Sequence, residues 1–430
     1  MTKFKLLSRK YLCVLLILAF ICSTLTGCYD KREVDELGYC IAIGFDKGKT
    51  NFLKLTFQIA KPQAGGGESG GGDQEEPFST VTIETPTLYS GLNMVNTFTS
   101  KQLNMSHTKV VVFSEELAKE GIESYAKAML RGREFRPNMY MVIAKGSAEG
   151  YLRNIKPDLV LNPAKYYELV YQSYSYTGFI PNSQFHEFTK YCECLHKSPV
   201  AILGGVGKYD SSDGFSSDKS TFKGKERDTP FSGDFFAGDV TKTSSMKSEN
   251  MGLAVFDGAK MVGQLDGDDV KYYLLTTGDY GHSYWTIPDM REKDKFVLLD
   301  IIKSREPGIK VDVKSGKPKI QLKINIEANI LSVQSAVNYE ESTVTKEFET
   351  YVEQYIKKGM LMYLEDITKE YKSDISGFGA YAQIRFATFK EWEEYNWKGK
   401  FHDSEYDVKV NFKIRRPGLL IKNIVYKSSQ

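Results

Sequence analysis

Lys319-Ile320-Gln321-Leu322-Lys323-Ile324-Asn325-Ile326-Glu327-Ala328-Asn329-Ile330-Leu331-Ser332-Val333-Gln334 sets the architecture of the second half of the chain. Ile320, Leu322, Ile324, Ile326, Ala328 and Ile330 recur at every second position, with Val333 after them. That period predicts a long, bent strand with one buried face. Just downstream, the spacing changes. Phe348, Val352, Tyr355, Ile356, Met360, Tyr363, Leu364, Ile367 and Tyr371 lie on one broad helical face. A helix over 345–371 would be roughly 40 Å long. Gly377-Phe378-Gly379 interrupts it, and short helices are expected over Ala380–Phe386 and Phe389–Trp397. Tyr406–Ile414 alternates again and reads as a strand of the same sheet.

Upstream, Gly252-Leu253-Ala254-Val255-Phe256 and Met261-Val262-Gly263-Gln264-Leu265 flank Asp257-Gly258, which predicts a hairpin. Asp266 is placed to cap a helix carrying Val270, Tyr273, Leu274 and Leu275. Residues 252–430 therefore read as a C-terminal α+β domain. Residues 196–251 turn polar after a short strand at Val200–Leu203 and read as a linker or excursion.

Residues 28–195 read as N-terminal α/β structure. Tyr39–Phe45 and the alternating Leu53, Leu55, Phe57 and Ile59 form a hairpin, and Ser79–Glu84 a further strand. Helix Leu88–Thr99, strand Val110–Phe113, a helix capped by Ser114 and running to about Arg131, and strand Tyr140–Ala144 follow. Ser147 caps a short helix, Asn162-Pro163 opens a tyrosine-rich one, and another covers Ser183–Leu195. Gly65-Gly66-Gly67-Glu68-Ser69-Gly70-Gly71-Gly72 lacks the Lys-Ser/Thr of a phosphate loop and reads as a solvated loop. The fold class is α+β, with mixed sheets flanked by helices, in two or three domains.

The first 27 residues are of a different kind. Lys3, Lys5, Arg9 and Lys10 precede an apolar run over Tyr11–Leu25. About 15 residues fall short of the roughly 20 that span a bilayer. With Leu25-Thr26-Gly27-Cys28 the segment has the form of a cleaved lipoprotein signal peptide. Cys28 is then the lipid attachment site, carrying diacylglycerol and an N-acyl chain such as palmitate. Two or more acyl chains tether a protein stably. No other cofactor is expected.

The 430 residues carry a net charge of +2. Loss of residues 1–27 removes four positive charges and leaves −2, a balance that excludes a nucleic-acid partner held by phosphate neutralisation. Of six cysteines, Cys40, Cys192 and Cys194 remain beyond Cys28, too few for a disulfide framework. His186, Cys192, Cys194 and His196 cluster without a zinc spacing, and no metal site is expected. Asp266, Asp268 and Asp269 lack the EF-hand pattern and suit a helix N-terminus. Glu391-Trp392-Glu393-Glu394-Tyr395 reads as a solvated helix face with aromatic anchors, or as a partner contact. No G-x-S-x-G elbow or H-E-x-x-H motif appears, so no catalytic residue is assigned.

Six pieces, in order, resemble the C-subunit lipoproteins of spore germinant receptors, the Ger(x)C family. They are Gly27-Cys28-Tyr29-Asp30-Lys31-Arg32-Glu33 with the run to Leu37, Ile43-Gly44-Phe45-Asp46, the two strands of the 252–265 hairpin, Asp374–Tyr381 with Trp392 and Trp397, and Val408 to Pro417-Gly418. Tyr29 stands where the family usually has Trp, and the glycine-rich stretch near residue 70 is an insert. The resemblance implies a multi-domain α+β fold and a non-enzymatic subunit on the outer face of the spore inner membrane. It implies membrane-embedded A and B subunits as partners in a response to small germinants, and leaves open whether this chain touches the germinant. The rival readings are a stand-alone solute-binding lipoprotein, for which no internal duplication is visible, and a tethered wall hydrolase, for which no paired carboxylates stand out.

Overall fold

The computed structural model describes residues 2–24, 33–50, 53–61, 77–132, 134–157, 159–160, 162–207, 233–240, 242, 244–314 and 316–416. A leading helix, α1 (Thr2–Thr24), precedes the folded body. The first half holds β1 (Leu37–Asp46), β2 (Leu53–Ala60), β3 (Phe78–Thr85), α2 (Leu88–Val95), β4 (Gln102–Asn104), β5 (Val110–Ser114), α3 (Glu115–Glu120), α4 (Glu123–Arg131), β6 (Tyr140–Ala144), α5 (Ala148–Arg153), α6 (Pro163–Tyr171), α7 (Tyr174–Thr177), α8 (Phe185–Cys192), β7 (Val200–Val206), β8 (Ser248–Asp257) and β9 (Lys260–Leu265). The second half holds α9 (Gly267–Thr277), β10 (Ser283–Pro288), β11 (Phe296–Ser304), β12 (Gly308–Asp312), β13 (Lys319–Val333), α10 (Ser342–Glu365), α11 (Phe378–Gln383), α12 (Phe389–Tyr395), α13 (Trp397–Phe401) and β14 (Glu405–Arg416). Among the described residues, no helix is long and apolar enough to cross a membrane.

The first sheet has nine strands in the order β3-β2-β1-β5-β6-β7-β8-β9, with β4 beside the start of β1. Its centre, β1, β5, β6 and β7, is parallel, and antiparallel hairpins close both edges. Parallel strands are covered on both faces, which accounts for the unbroken apolar runs of β5 and β6, buried at every residue. Val111 and Phe113 face one core with α2, α3, α4 and α8. Val110 and Val112 face the other, with α5 and α6. The tyrosines of α6 bury their rings there and find polar partners: Tyr167 donates to Gln58, and Tyr151 bonds both Tyr171 and Asn250.

The second sheet runs β10-β11-β13-β12, with β14 parallel to β13. The even-numbered side chains of β13 from Ile320 to Ile330 pack under α10, as the alternation predicts. β14 is an edge strand, and α10 protects it. Glu349 accepts a hydrogen bond from the Ile414 backbone at 2.9 Å, and Glu353 one from the Phe412 backbone at 2.9 Å. These carboxylates satisfy donors that an open edge would leave free to pair with another chain.

Several boundaries differ from the sequence reading. The helix expected from Ser114 to Arg131 breaks at Gly121, whose φ of 126° ends α3. The long helix starts earlier than residue 345 and finishes in a π-type turn over Asp366–Glu370. Strands β10, β11 and β12 carry no counterpart in the sequence reading. The segment read as a linker contributes β7 and the start of β8, both inside the first sheet, so the hairpin assigned to the C-terminal domain pairs with N-terminal strands. Within that hairpin, Gly252 sets how closely the two strands pack. Its φ is 91°, and a Cβ there would lie 2.4 Å from the Leu265 carbonyl oxygen, so only glycine lets β8 approach β9 this closely.

Glu349→Ala leaves the buried Ile414 N–H without an acceptor. It should lower the unfolding free energy by about 1–3 kcal/mol, read from the denaturant midpoint, whereas Glu349→Gln keeps an oxygen in place and should lose clearly less. A second expectation concerns acid. Burial opposes ionisation of Glu149, but hydrogen bonds from Lys54, Arg153 and Thr82 prevail and hold its carboxyl at about 2, below its usual 4.5. Stability from this group is complete above about pH 4.5 and is lost as pH falls toward 2. Glu149→Gln should therefore flatten the acid limb of a stability–pH curve.

Candidate functional site

The two sheets meet along a seam built around the turn after α10. Asp374 is 4% exposed. Its carboxylate accepts from the backbone N–H groups of Gly377, Phe378 and Gly379 at 2.8, 3.0 and 2.7 Å and from Trp397 Nε1 at 3.0 Å. Three of these donors are free because they open α11, where a helix has no internal acceptors. Burial pushes the Asp374 carboxyl up to about 6, against the pull of the four donors. The same turn is fastened to the first half: Ser198 N donates to the Asp374 carbonyl at 2.8 Å, and Ser373 Oγ to the Phe256 carbonyl at 2.7 Å. A Cβ at Gly379 would meet the His196 carbonyl oxygen and Trp397 Nε1, each at 2.6 Å.

A second fastening involves Lys271 of α9. Its Nζ lies 2.9 Å from Asp268, with side chains 4% and 9% exposed. The ammonium also sits over the rings of Phe179, at 4.7 Å, and Trp285, at 5.1 Å. Phe179 comes from the first half and its carbonyl accepts from Gly252 N, so one buried cation joins both halves.

Beside the Asp374 turn lies a cavity of about 350 Å³. Asn182, Tyr191 and Lys197 line it from the first half; Tyr273, Asp279 and Ser376 line it from the second. Ser376 bonds Thr276 at 2.9 Å and Tyr363 at 2.7 Å, so this wall is internally satisfied. The Lys197 ammonium lies 4.6 Å from the centre of the Tyr191 ring, and its stem passes over Gly377, where a Cβ would meet it at 3.1 Å.

Comparison with known proteins places this architecture. A model described as the spore germination protein N-terminal domain matches residues 30–200, and one described as spore germination B3/GerAC like, C-terminal, matches residues 251–418. The chain belongs to the Ger(x)C family of spore germination proteins. It is 26% identical to spore germination protein KC of Bacillus subtilis (strain 168) over 431 aligned positions, covering 95% of this chain and 96% of that one. It is 19% identical to spore germination protein B3 of the same organism, covering 93% and 96%. Among solved structures, the GerBC protein superposes with a TM-score of 0.51 at 15% identity, over 87% of this chain and 96% of its own, and shares the fold.

Within this Ger(x)C frame the candidates from sequence fall as follows. Cys28 lies outside the described residues. The His186–His196 cluster does not converge. His186 Nδ1 meets the Pro137 carbonyl at 3.1 Å, and Cys192 ends α8 against the first core, where burial pushes its thiol up to about 12. Cys194 Sγ is 3.3 Å from both ring nitrogens of His196. A sulfur equidistant from both nitrogens lies over the ring, off either lone-pair axis, which is not a nucleophile–base alignment. Among the described residues, no group of three or more His, Cys, Asp or Glu is placed to hold a metal ion. Asp266 caps α9 at Asp269 N, and Asp268 pairs with Lys271. Trp392 is 2% exposed and packs on Trp397 and Phe386, so it is a core residue and presents no ring to a partner. Lys271 escaped the sequence reading, and Asp374 entered it only as the start of the Asp374–Tyr381 piece of the resemblance, with no role given. Asp374 stands three residues before Gly377-Phe378-Gly379, a capping signal; Lys271 sits in an apolar helix and carries no local signal of burial.

Asp374→Asn turns an amide NH₂ toward two of the four donors. It should cost roughly 2–4 kcal/mol, measured by denaturation followed through tryptophan emission, and Gly379→Ala should be comparably damaging.

Proposed function

We propose that the chain is a lipid-anchored, non-enzymatic subunit of a spore nutrient-germinant receptor. It is held at the outer face of the spore inner membrane by diacylglycerol and an N-acyl chain on Cys28, and it assembles with membrane-embedded A and B subunits to trigger germination. The observation that carries this reading is the match to both family models along a chain that covers nearly the whole length of its relatives. The lipobox form of Leu25–Cys28, directly ahead of the matched region, supports the anchor.

The topology supports a definite orientation. Leu37 follows Cys28 by only nine positions, a reach of at most roughly 30 Å. Strands β5, β6 and β7 run parallel to β1, so their N-terminal ends face the same way as the tethered start of β1. That end includes Lys101, which donates to the Asp35 carbonyl at 2.7 Å, and the exposed Val34 and Phe98. The C-terminal ends of these strands then point away from the bilayer.

Cys28→Ala should move the protein out of the spore inner-membrane fraction and slow germinant-triggered release of core contents, while a tag on the wild-type chain should recover two multi-span proteins. Recovery of the lipidated chain alone would favour a stand-alone solute-binding lipoprotein. Unchanged fractionation of Cys28→Ala would remove the anchor from the scheme.

A further inference from the structure

The outer face of the second sheet, opposite the core under α10, carries an apolar patch. Leu331, Tyr284 and Ile302 are 52%, 53% and 43% exposed, and Leu298 among them is half-buried. The strand register gathers them. Leu298 stands opposite Ser332, next to Leu331, and Tyr284 stands opposite Asp300, between Leu298 and Ile302. The alternate residues Val297, Leu299 and Ile301 point the other way, into the core. Single exposed apolar side chains are ordinary. Several together on one sheet face mark an interaction surface.

The chain itself leads toward this patch. β14 pairs in parallel with β13 up to Arg416 opposite Asn329, and Leu331 follows Asn329 by two positions. Residues 417–430 lie outside the described residues. Their sequence opens with Pro417-Gly418, and Leu419-Leu420-Ile421 and Ile424-Val425-Tyr426 then flank Lys422-Asn423. Pro417 has no N–H with which to extend the ladder, and Pro-Gly is a turn dipeptide. Such a turn would keep Leu419 within about 7 Å of Arg416, and so close to Leu331. Of the surfaces within reach there, the inner face of the sheet is filled by α10. The free edge of β14 is closed at Phe412 and Ile414, whose N–H groups donate to Glu353 and Glu349. The outer face is open. The C-terminal family match ends at residue 418, so the apolar stretch lies beyond the pattern that the family model describes.

We propose that residues 419–426 fold back across the outer face of the second sheet and cover Leu331, Leu298, Tyr284 and Ile302. The segment then supplies the second layer against which an apolar sheet face is buried. The contact is internal to the chain, so it stands apart from the receptor reading and needs neither the lipid on Cys28 nor the A and B subunits.

Trypsin reads this contact in the full-length chain purified in detergent, with the products resolved by mass spectrometry. Lys422 lies inside the proposed contact and Lys427 just beyond it. Cleavage follows the population of the open form, so the cut after Lys422 should be roughly tenfold slower than the cut after Lys427. Leu331→Asp puts a charge beneath the segment and should speed the cut after Lys422 by roughly tenfold, with the far-ultraviolet circular dichroism unchanged. If Leu331→Asp does not fold, Ile421→Asp leaves the sheet untouched and should expose Lys422 in the same way. Equal cleavage at both lysines in the unsubstituted chain, or protection that survives the substitutions, overturns the proposal. So does protection that appears only with added phosphatidylglycerol vesicles, which would place the segment on a lipid surface. Protection that appears only at high protein concentration would place it on a second copy and overturns the proposal equally.

Discussion

A carboxylate sealed inside a protein must find all of its donors there, and Asp374 does so by gathering the open end of α11 and the indole of α13 around one side chain. That requirement shapes much of the seam. Three consecutive N–H groups can converge only if α11 begins where it does, and the chain can turn there only with Gly377 at a φ of 77°. Gly379 must lack a side chain because Trp397 and the His196 carbonyl already fill the space. Trp397 is in turn held against Trp392 and Phe401, so α12 and α13 take their places from the same contact. The Asp374 carbonyl then accepts from Ser198, which carries the constraint across to the first half.

The two sheets solve backbone satisfaction differently, and their sequences differ accordingly. The first buries its parallel strands on both faces and closes its edges with hairpins. The second leaves one face of β13 to solvent, which is why its pattern alternates, and must deal with β14 at an edge. Glu349 and Glu353 supply acceptors there from a helix that is already packed on the sheet. The length of α10 therefore follows from two demands on one element: it covers the apolar side of β13 and it shields the polar rim of β14.

What could be read from sequence follows the same division. Alternation in 319–334 and the broad apolar face of 345–371 survive in the fold almost to the residue, because each pattern is imposed by one buried surface. In the segment read as a 196–251 linker, the strand at Val200–Leu203 was legible and is β7, but its pairing with β8 was not, since polar composition around 208–247 says nothing about the pairing of its ends. Strands β11 and β12 were missed because Asp300, Lys303 and Lys310 interrupt their apolar runs, and β10 is a short run of six residues ending at Pro288. The seam was the least legible part. Lys197 next to His196 looks like ordinary surface charge, and its partial burial arises where the turn at Gly377 packs against its stem. Such a site is a product of tertiary packing and has no local period. The resemblance carried by Asp374–Tyr381 did mark this turn, without indicating what it does.

The crossing of chain and sheet bears on how the two halves can move. The family models divide the chain between residues 200 and 251, but β7 pairs with β8, and β8 with β9, immediately before α9 begins. The C-terminal half thus lends a hairpin to the N-terminal sheet, and Tyr371 returns from the second half to bond the Gln264 carbonyl at 2.9 Å. Separation at the polar segment would break a ladder of backbone hydrogen bonds. The hairpin and α9 also share one apolar core: Val200, Leu253, Val255 and Leu265 of the first sheet pack in the same cluster as Val270, Tyr272 and Leu274. Asp374 and Lys271 add discrete polar contacts to that continuous core, so the seam resists sliding as well as separation.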